Sequence, residues 1–284
     1  MGFLDGAEVI SLSEKAQSLK VWEENPLEDW EECNLTDKSS RPEILDFIML
    51  FLCRRIDLKW NAFKGGFVLT KLLPEEARMT EDIDFSVSED GQYYKLIPVL
   101  KELGEVLLNK GVIEGYEVKE SIGERSTGGI HMSTSKESKD IKIDIGWHDL
   151  SWGVQKWDYE GFDCNRFEVE RMLTDKISAV YSRKRFRRPK DIYDIYILLR
   201  NFDVDLNKLR SYVEKRGTIE WEADPFREEV YREYGKAYDR LNISSVTGEN
   251  IFKPDFDRVM NLFKFFMSGF NSKTYWRFNE QGFE

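Results

Sequence analysis

Between residues 64 and 87 the chain reads Lys64-Gly65-Gly66-Phe67-Val68-Leu69, a polar loop, then Arg78-Met79-Thr80-Glu81-Asp82-Ile83-Asp84-Phe85-Ser86-Val87. No other stretch constrains the fold as tightly. Asp82-Ile83-Asp84-Phe85 alternates polar and apolar residues, the period of a half-buried strand. On such a strand Asp82 and Asp84 share one face, with Cα atoms roughly 7 Å apart. Ile83 and Phe85 then face a core. Two carboxylates at that separation repel unless a cation lies between them. Oxygen ligands suit Mg²⁺, which takes one or two carboxylates plus substrate phosphates.

Upstream, Trp60-Asn61-Ala62-Phe63 reads as a short strand and Phe67 to Leu73 as a short helix, with Gly65-Gly66 at the turn between them. Glycines there let a phosphate approach the backbone, and the following helix start offers free N–H groups and a positive dipole end. Alone, such a pair is an ordinary tight turn, and it is neither a Walker A loop nor a dinucleotide fingerprint. Alone, D-x-D is a solvated turn or helix start. The chain contains two controls of that kind, Asp203-Val204-Asp205 and Asp255-Phe256-Asp257, which lie at helix boundaries with no glycine pair before them. The glycine turn followed by the carboxylate strand is what singles out Asp82 and Asp84.

The 284 residues suffice for one large domain or two smaller ones, and a hydrophobic fraction of 41% supports a substantial core. A net charge of −11 argues against a general nucleic-acid coat, though not against a local basic groove. Cys33, Cys53 and Cys164 are odd in number and far apart. They form no zinc pattern and suggest no disulfide framework, which points to a reducing cytoplasm. The longest apolar run, Phe47 to Cys53, is too short to span a bilayer, so no membrane association is expected. No basic segment leads into an apolar one at the amino terminus, so no signal peptide is expected.

In chain order, residues 7–24 read as a charged helix and 25–41 as a loop. Glu43 to Leu58 reads as a helix with the stripe Ile44, Phe47, Ile48, Phe51 and Leu52. A helix is expected over 92–110. Strands are expected over 112–120 and 129–133, with a flexible segment between them. Asp140 to Gly146 alternates again, placing Asp144 on the face of Lys142. A third carboxylate on a neighbouring strand is what two-metal phosphoryl chemistry needs; by itself it is a strand-end aspartate facing water. From about residue 165 the pattern is helical. Glu168 to Lys184 carries Lys176 inside its apolar stripe, where a lysine needs an anionic partner or must reach out to water. Arg183 to Lys190 is a dense basic run with Phe186 available for stacking, or equally a solvated turn. Pro189 opens a buried helix. Its Asp191 suits the first turn electrostatically, or pairs with Lys176; Asp194 reads as structural. Residues 205–241 and 254–270 read as helices, the tail from Lys273 has no legible role, and neither His131 nor His148 has an evident partner.

Gly65-Gly66, Arg78-x-Thr80-x-Asp82-Ile83-Asp84-Phe85, the inward Lys176 and Arg188-Pro189-Lys190-Asp191-Ile192-Tyr193-Asp194 together resemble the AbiEii/AbiGii toxin family, over about residues 60–200. That resemblance places the chain in the DNA polymerase β-like nucleotidyltransferase superfamily. It implies an α+β fold with a mixed sheet and flanking helices, plus a helical carboxy-terminal domain. The division expected is a helical extension over 1–59, a nucleotidyltransferase core over 60–165 and a helical domain over 166–284. The resemblance implies a cytoplasmic toxin–antitoxin or abortive-infection enzyme that takes NMP from an NTP with Mg²⁺ or Mn²⁺. Its acceptor would be RNA such as tRNA, and a separately encoded antitoxin would silence it. The family's metal carboxylates fall on Asp82 and Asp84, its lysine and aspartate on Lys176 and Asp191, and its nucleotide turn on Gly65-Gly66. Asp144 as third metal ligand follows from strand pattern, and Arg78 is a candidate triphosphate contact. Phe67 departs from the family, which has a small hydroxyl residue there. The competing expectations are a small-molecule, antibiotic-type nucleotidyltransferase and an inactive relative that only binds.

Overall fold

The computed structural model describes residues 35–88, 90–119, 128–133, 140–182, 188–217, 224–244 and 252–284. The helix expected over 7–24 lies outside them, as do most of the 25–41 loop, the segment before Gly128 and residues 183–187 of the basic run.

Helix α1 (Arg41–Arg55) starts where Ser40 and Glu43 form a reciprocal capping box with Pro42 in the first turn. Its apolar stripe is buried as expected. It stops three residues short of Leu58, because Ile56 turns extended and Asp57 caps a 3₁₀ turn by accepting from the Lys59 N–H. Strand β1 (Asn61–Lys64) runs directly into α2 (Gly65–Leu72), so the glycine pair forms the helix's first turn rather than a loop before it. Then come β2 (Asp82–Val87), α3 (Asp90–Asn109), β3 (Gly115–Lys119), β4 (Gly128–Ser133) and β5 (Ile141–Trp147). A hairpin follows, β6 (Val154–Tyr159) and β7 (Phe162–Phe167), turning at Glu160 and Gly161 with positive φ.

These strands form one mixed sheet in the order β3-β4-β5-β2-β1-β7-β6. β2 lies at its centre, antiparallel to β1 and parallel to β5, and β7 runs parallel to β1. Ile83 and Phe85 on β2 and Ile141, Ile143 and Ile145 on β5 fill the core side. The opposite face of the same strands carries the polar residues.

Beyond the sheet, α4 (Val169–Val180) packs against α5 (Pro189–Asn201) and against α6 (Leu206–Arg216), which follows the two-residue strand β8 (Val204–Asp205). Over 205–241, where a helical pattern is expected, the described residues hold two helices. α6 ends at Gly217, whose φ of +78° breaks it, and α7 spans Glu228–Asp239. α8 (Phe256–Gly269) follows. The two D-x-D controls behave as expected: Asp205 caps α6 by accepting from the N–H groups of Asn207 and Lys208, and Asp255 precedes α8.

The tail does have a structural role. β9 (Tyr275–Arg277) and β10 (Gly282–Phe283) make a small sheet with β8, and fully buried Trp276 donates to the Leu199 carbonyl at 2.8 Å. Strands this short carry no readable period. Cys53 on α1 and Cys164 on β7 form a disulfide that their 111-residue separation did not suggest. It becomes visible only once α1 packs on the sheet. No helix among the described residues is long and apolar enough to cross a membrane.

Candidate active site

Strand pairing generates the site. In register, Lys64 on β1 stands opposite Asp84 on β2, which stands beside Asp144 on β5. The row below pairs Asp82 with Lys142, and the row above pairs Ser86 with Gly146. Three carboxylates therefore share one face of two neighbouring strands, as the alternation of each strand requires.

The turn into α2 closes on this row. Gly65 has φ +73°, and a Cβ there would stand 2.2 Å from Asp84 Oδ2. Only glycine combines that backbone with that approach. The start of α2 thus opens beside Asp84. Gly66 is flanked by Arg78 and Thr80, the latter donating to the Asp82 carbonyl, so the Arg78-x-Thr80 spacing braces the glycine turn against β2. Phe67 is buried in the core against Phe63.

Burial, together with the neighbouring Asp144 and Asp84, raises the Asp82 carboxyl pKa. Asp84 is raised by burial against the opposing pull of Lys64 and Lys176. Clustered carboxylates with raised pKa values are a hard oxygen donor set suited to a divalent cation. Among the described residues, no group of three or more His, Cys, Asp or Glu side chains is placed to hold a metal ion together.

Facing Asp84 across a cleft of about 400 Å³ are α4 and the start of α5. Lys176 Nζ bridges Asp191 Oδ1 at 2.9 Å and Asp194 Oδ2 at 2.7 Å. Burial opposes the Lys176 charge, but the two carboxylates outweigh it and raise the pKa. Asp194, 1% exposed, accepts a bidentate bond from Arg78 with both distances 3.0 Å. Arg188 Nη1 reaches Asp191 Oδ2 at 3.3 Å. The chain of charges runs Arg78–Asp194–Lys176–Asp191–Arg188.

The structure brings Gly65, Asp84, Lys176 and Asp191 together around the cleft, with Asp82 and Asp144 continuing the same sheet face. Arg78 is buried on Asp194 and does not line the cleft. Asp194 is a structural hub, bonded to Arg78 and Lys176. The cleft residues not legible as such in the sequence include Lys64, His148 and Arg216. Arg216, at the end of α6, pairs with Asp175. His148 does have partners: Ser86 Oγ at 3.1 Å and Lys64 Nζ at 3.5 Å. Its signal was parity, since it follows Lys142, Asp144 and Gly146 by twos, and its N–H continues the ladder to the Val87 carbonyl. His131 also has a partner, Asp140, at 2.7 Å.

A glycine turn thus stands over a carboxylate strand, with a lysine–aspartate pair across the cleft. The chain matches the family described as "Nucleotidyl transferase AbiEii toxin, Type IV TA system" over residues 51–273, and it belongs to that family. Among solved structures, it is similar to a protein from H. pylori described as a nucleotidyltransferase, with 18% identity and a TM-score of 0.50. The match covers 77% of this chain and 88% of that one. It also matches MenT4, a nucleotidyltransferase toxin from Mycobacterium tuberculosis H37Rv, at 17% identity and a TM-score of 0.42, covering 67% of this chain and 70% of that one. The antibiotic-resistance factor ANT(2'')-Ia matches at 12% identity and a TM-score of 0.40, covering 62% and 90%. No curated protein matches the chain.

Proposed function

We propose that this chain transfers NMP from an NTP to the hydroxyl of an RNA acceptor such as tRNA. It acts as the toxin of a toxin–antitoxin pair, arresting growth or aborting phage infection, and a separately encoded antitoxin holds it in check. The observation that supports this reading best is the placement of the Asp84 carboxylate against Gly65, at the head of α2 and across the cleft from the Lys176–Asp191 pair.

In this reading residues 60–165 are the catalytic core, 1–59 an extension and 166–284 the helical domain that supplies the far wall of the cleft. Asp82 and Asp84, with Asp144 beside them, would hold Mg²⁺ or Mn²⁺, which would neutralise phosphate charge and polarise the reacting oxygens. The Gly65 and Gly66 N–H groups and the α2 dipole bind phosphate oxygens. The acceptor oxygen attacks the α-phosphorus, and the bond from that phosphorus to the β-phosphate bridging oxygen breaks. Asp144, open to solvent on the sheet face, takes the acceptor proton. Lys176 stabilises the charge growing on the departing pyrophosphate, and Asp191 fixes its position. Arg78 acts through Asp194, which aims Lys176.

Incubation with each α-³²P-labelled NTP, Mg²⁺ and total bacterial RNA, beside Asp84→Ala, tests this. Labelled RNA with wild type alone supports it. Labelled small molecules would move the acceptor to the antibiotic type, and nucleotide binding without transfer to any acceptor would make the chain an inactive relative.

A further inference from the structure

Among the described residues, four lysine and arginine side chains line the cleft: Lys64, Lys176, Arg188 and Arg216. Three already have carboxylate partners. Lys176 holds Asp191 and Asp194, Arg188 holds Asp191, and Arg216 holds Asp175. Lys64 differs. Among the described residues it makes no ion pair, and its side-chain hydrogen bond is a long one to a neutral ring, His148 Nε2 at 3.5 Å. Asp84 lies opposite it in register and favours its charge, without closing on it.

A half-buried ammonium carries a desolvation cost that a neutral acceptor offsets only in part. The position is nonetheless built. An ammonium only donates, so Nε2 of His148 must accept, and its proton sits on Nδ1, which donates to Ser86 Oγ at 3.1 Å. Burial, with the Lys64 and Arg171 charges, keeps this imidazole neutral. Gly146 provides the floor: a Cβ there would stand 3.0 Å from His148 Cε1 and 3.7 Å from Lys64 Nζ. Ser86 and Gly146 are register partners, so small residues on two adjacent strands make the space in which the ring lies.

We propose that Lys64 is a ligand for the nucleotide's phosphates and that His148, seated on Ser86 and Gly146, is the positioning residue that aims it into the cleft. This deepens the nucleotidyltransferase reading and rests on it. An anionic phosphate supplies the partner that Lys64 lacks, next to the Gly65 turn where α2 already offers N–H donors.

The test is equilibrium binding of Mg–ATP, Mg–GTP, Mg–CTP and Mg–UTP to the full chain, with steady-state transfer and thermal melts on the same preparations. The proteins are wild type, Lys64→Met, His148→Ala and His148→Gln. Lys64→Met is expected to weaken binding of the preferred NTP by about tenfold or more, the scale of one charged hydrogen bond. His148→Ala is expected to raise KM for the NTP in the same direction while kcat at saturation changes less. His148→Gln, whose amide oxygen can accept from Lys64, recovers part of the loss. A purely structural role would lower the melting temperature of Lys64→Met, whereas relief of an unpaired buried charge leaves it level or raised. If wild type binds and transfers but Lys64→Met and His148→Ala keep affinity and KM within about twofold, the assignment of Lys64 and His148 is overturned alone. If wild type binds none of the four nucleotides, the transferase reading falls and this one with it.

Discussion

Gly65 and Asp84 approach so closely that a side-chain carbon on residue 65 would stand 2.2 Å from the Asp84 carboxylate oxygen. Gly65→Ala meets this contact and the φ of +73° together. A left-handed conformation costs an L-residue about 1–2 kcal/mol, and the displaced carboxylate loses its alignment. Transfer is expected to fall roughly a hundredfold, the scale of a 1 Å misplacement at a reacting centre, while the protein still folds. Labelled-nucleotide incorporation beside a melting curve reads both effects.

Asp84→Asn separates function from stability. The Asp84 pKa is raised by burial, so ionisation of this carboxyl opposes folding. The amide is expected to abolish transfer and to leave the melting temperature unchanged or higher, as at other sites that trade stability for activity. Mg²⁺ is expected to raise the melting temperature of wild type more than that of Asp84→Asn. A differential scan with and without Mg²⁺ gives the comparison.

Asp194→Ala should behave oppositely. It strands Arg78 and Lys176 without their shared carboxylate, and breaking a buried ion pair costs about 3–5 kcal/mol. Burial alone would raise the Asp194 carboxyl, but Arg78 and Lys176 outweigh it and lower the pKa below the ordinary 3.8. A depressed carboxyl contributes stability above its unfolded pKa and loses it as pH falls towards the folded one. Wild type is therefore expected to lose this contribution below pH 3.8, and Asp194→Asn to lack that part of the acid dependence. Denaturant melts at a series of pH values check it.

His148 adds a second, milder acid dependence. Burial first, then Lys64 and more weakly Arg171 and Arg216, push its pKa from 6.5 to about 3, against the Gly146 backbone bond. Between those values the unfolded chain binds the proton that the folded chain refuses, so stability falls as pH drops through 6.5. His148→Gln is expected to flatten this part of the stability–pH curve. An unchanged slope would mean that the ring titrates normally.

The sequence determined more of the centre than of the rim. Alternation in β2 and β5 fixed which residues share a face, so Asp82, Asp84 and Asp144 could be grouped before any pairing was known. The stripe of α4 singled out Lys176 because an inward lysine demands an anion. These are local periodicities, and they survive into the fold because one side of each element must leave water. Partners set by docking were not legible. Nothing local says that Arg78 reaches Asp194, 116 residues away, or that α1 brings Cys53 to Cys164. The hairpin β6–β7 and the small sheet holding Trp276 were missed because their strands are too short or too mixed to show a period. Lys64 and His148 became a pair only when β1 and β5 took their places on either side of β2. Burial and strand order then left Lys64 facing the cleft with no ion pair among the described residues, a property of the assembled sheet rather than of any segment of the chain.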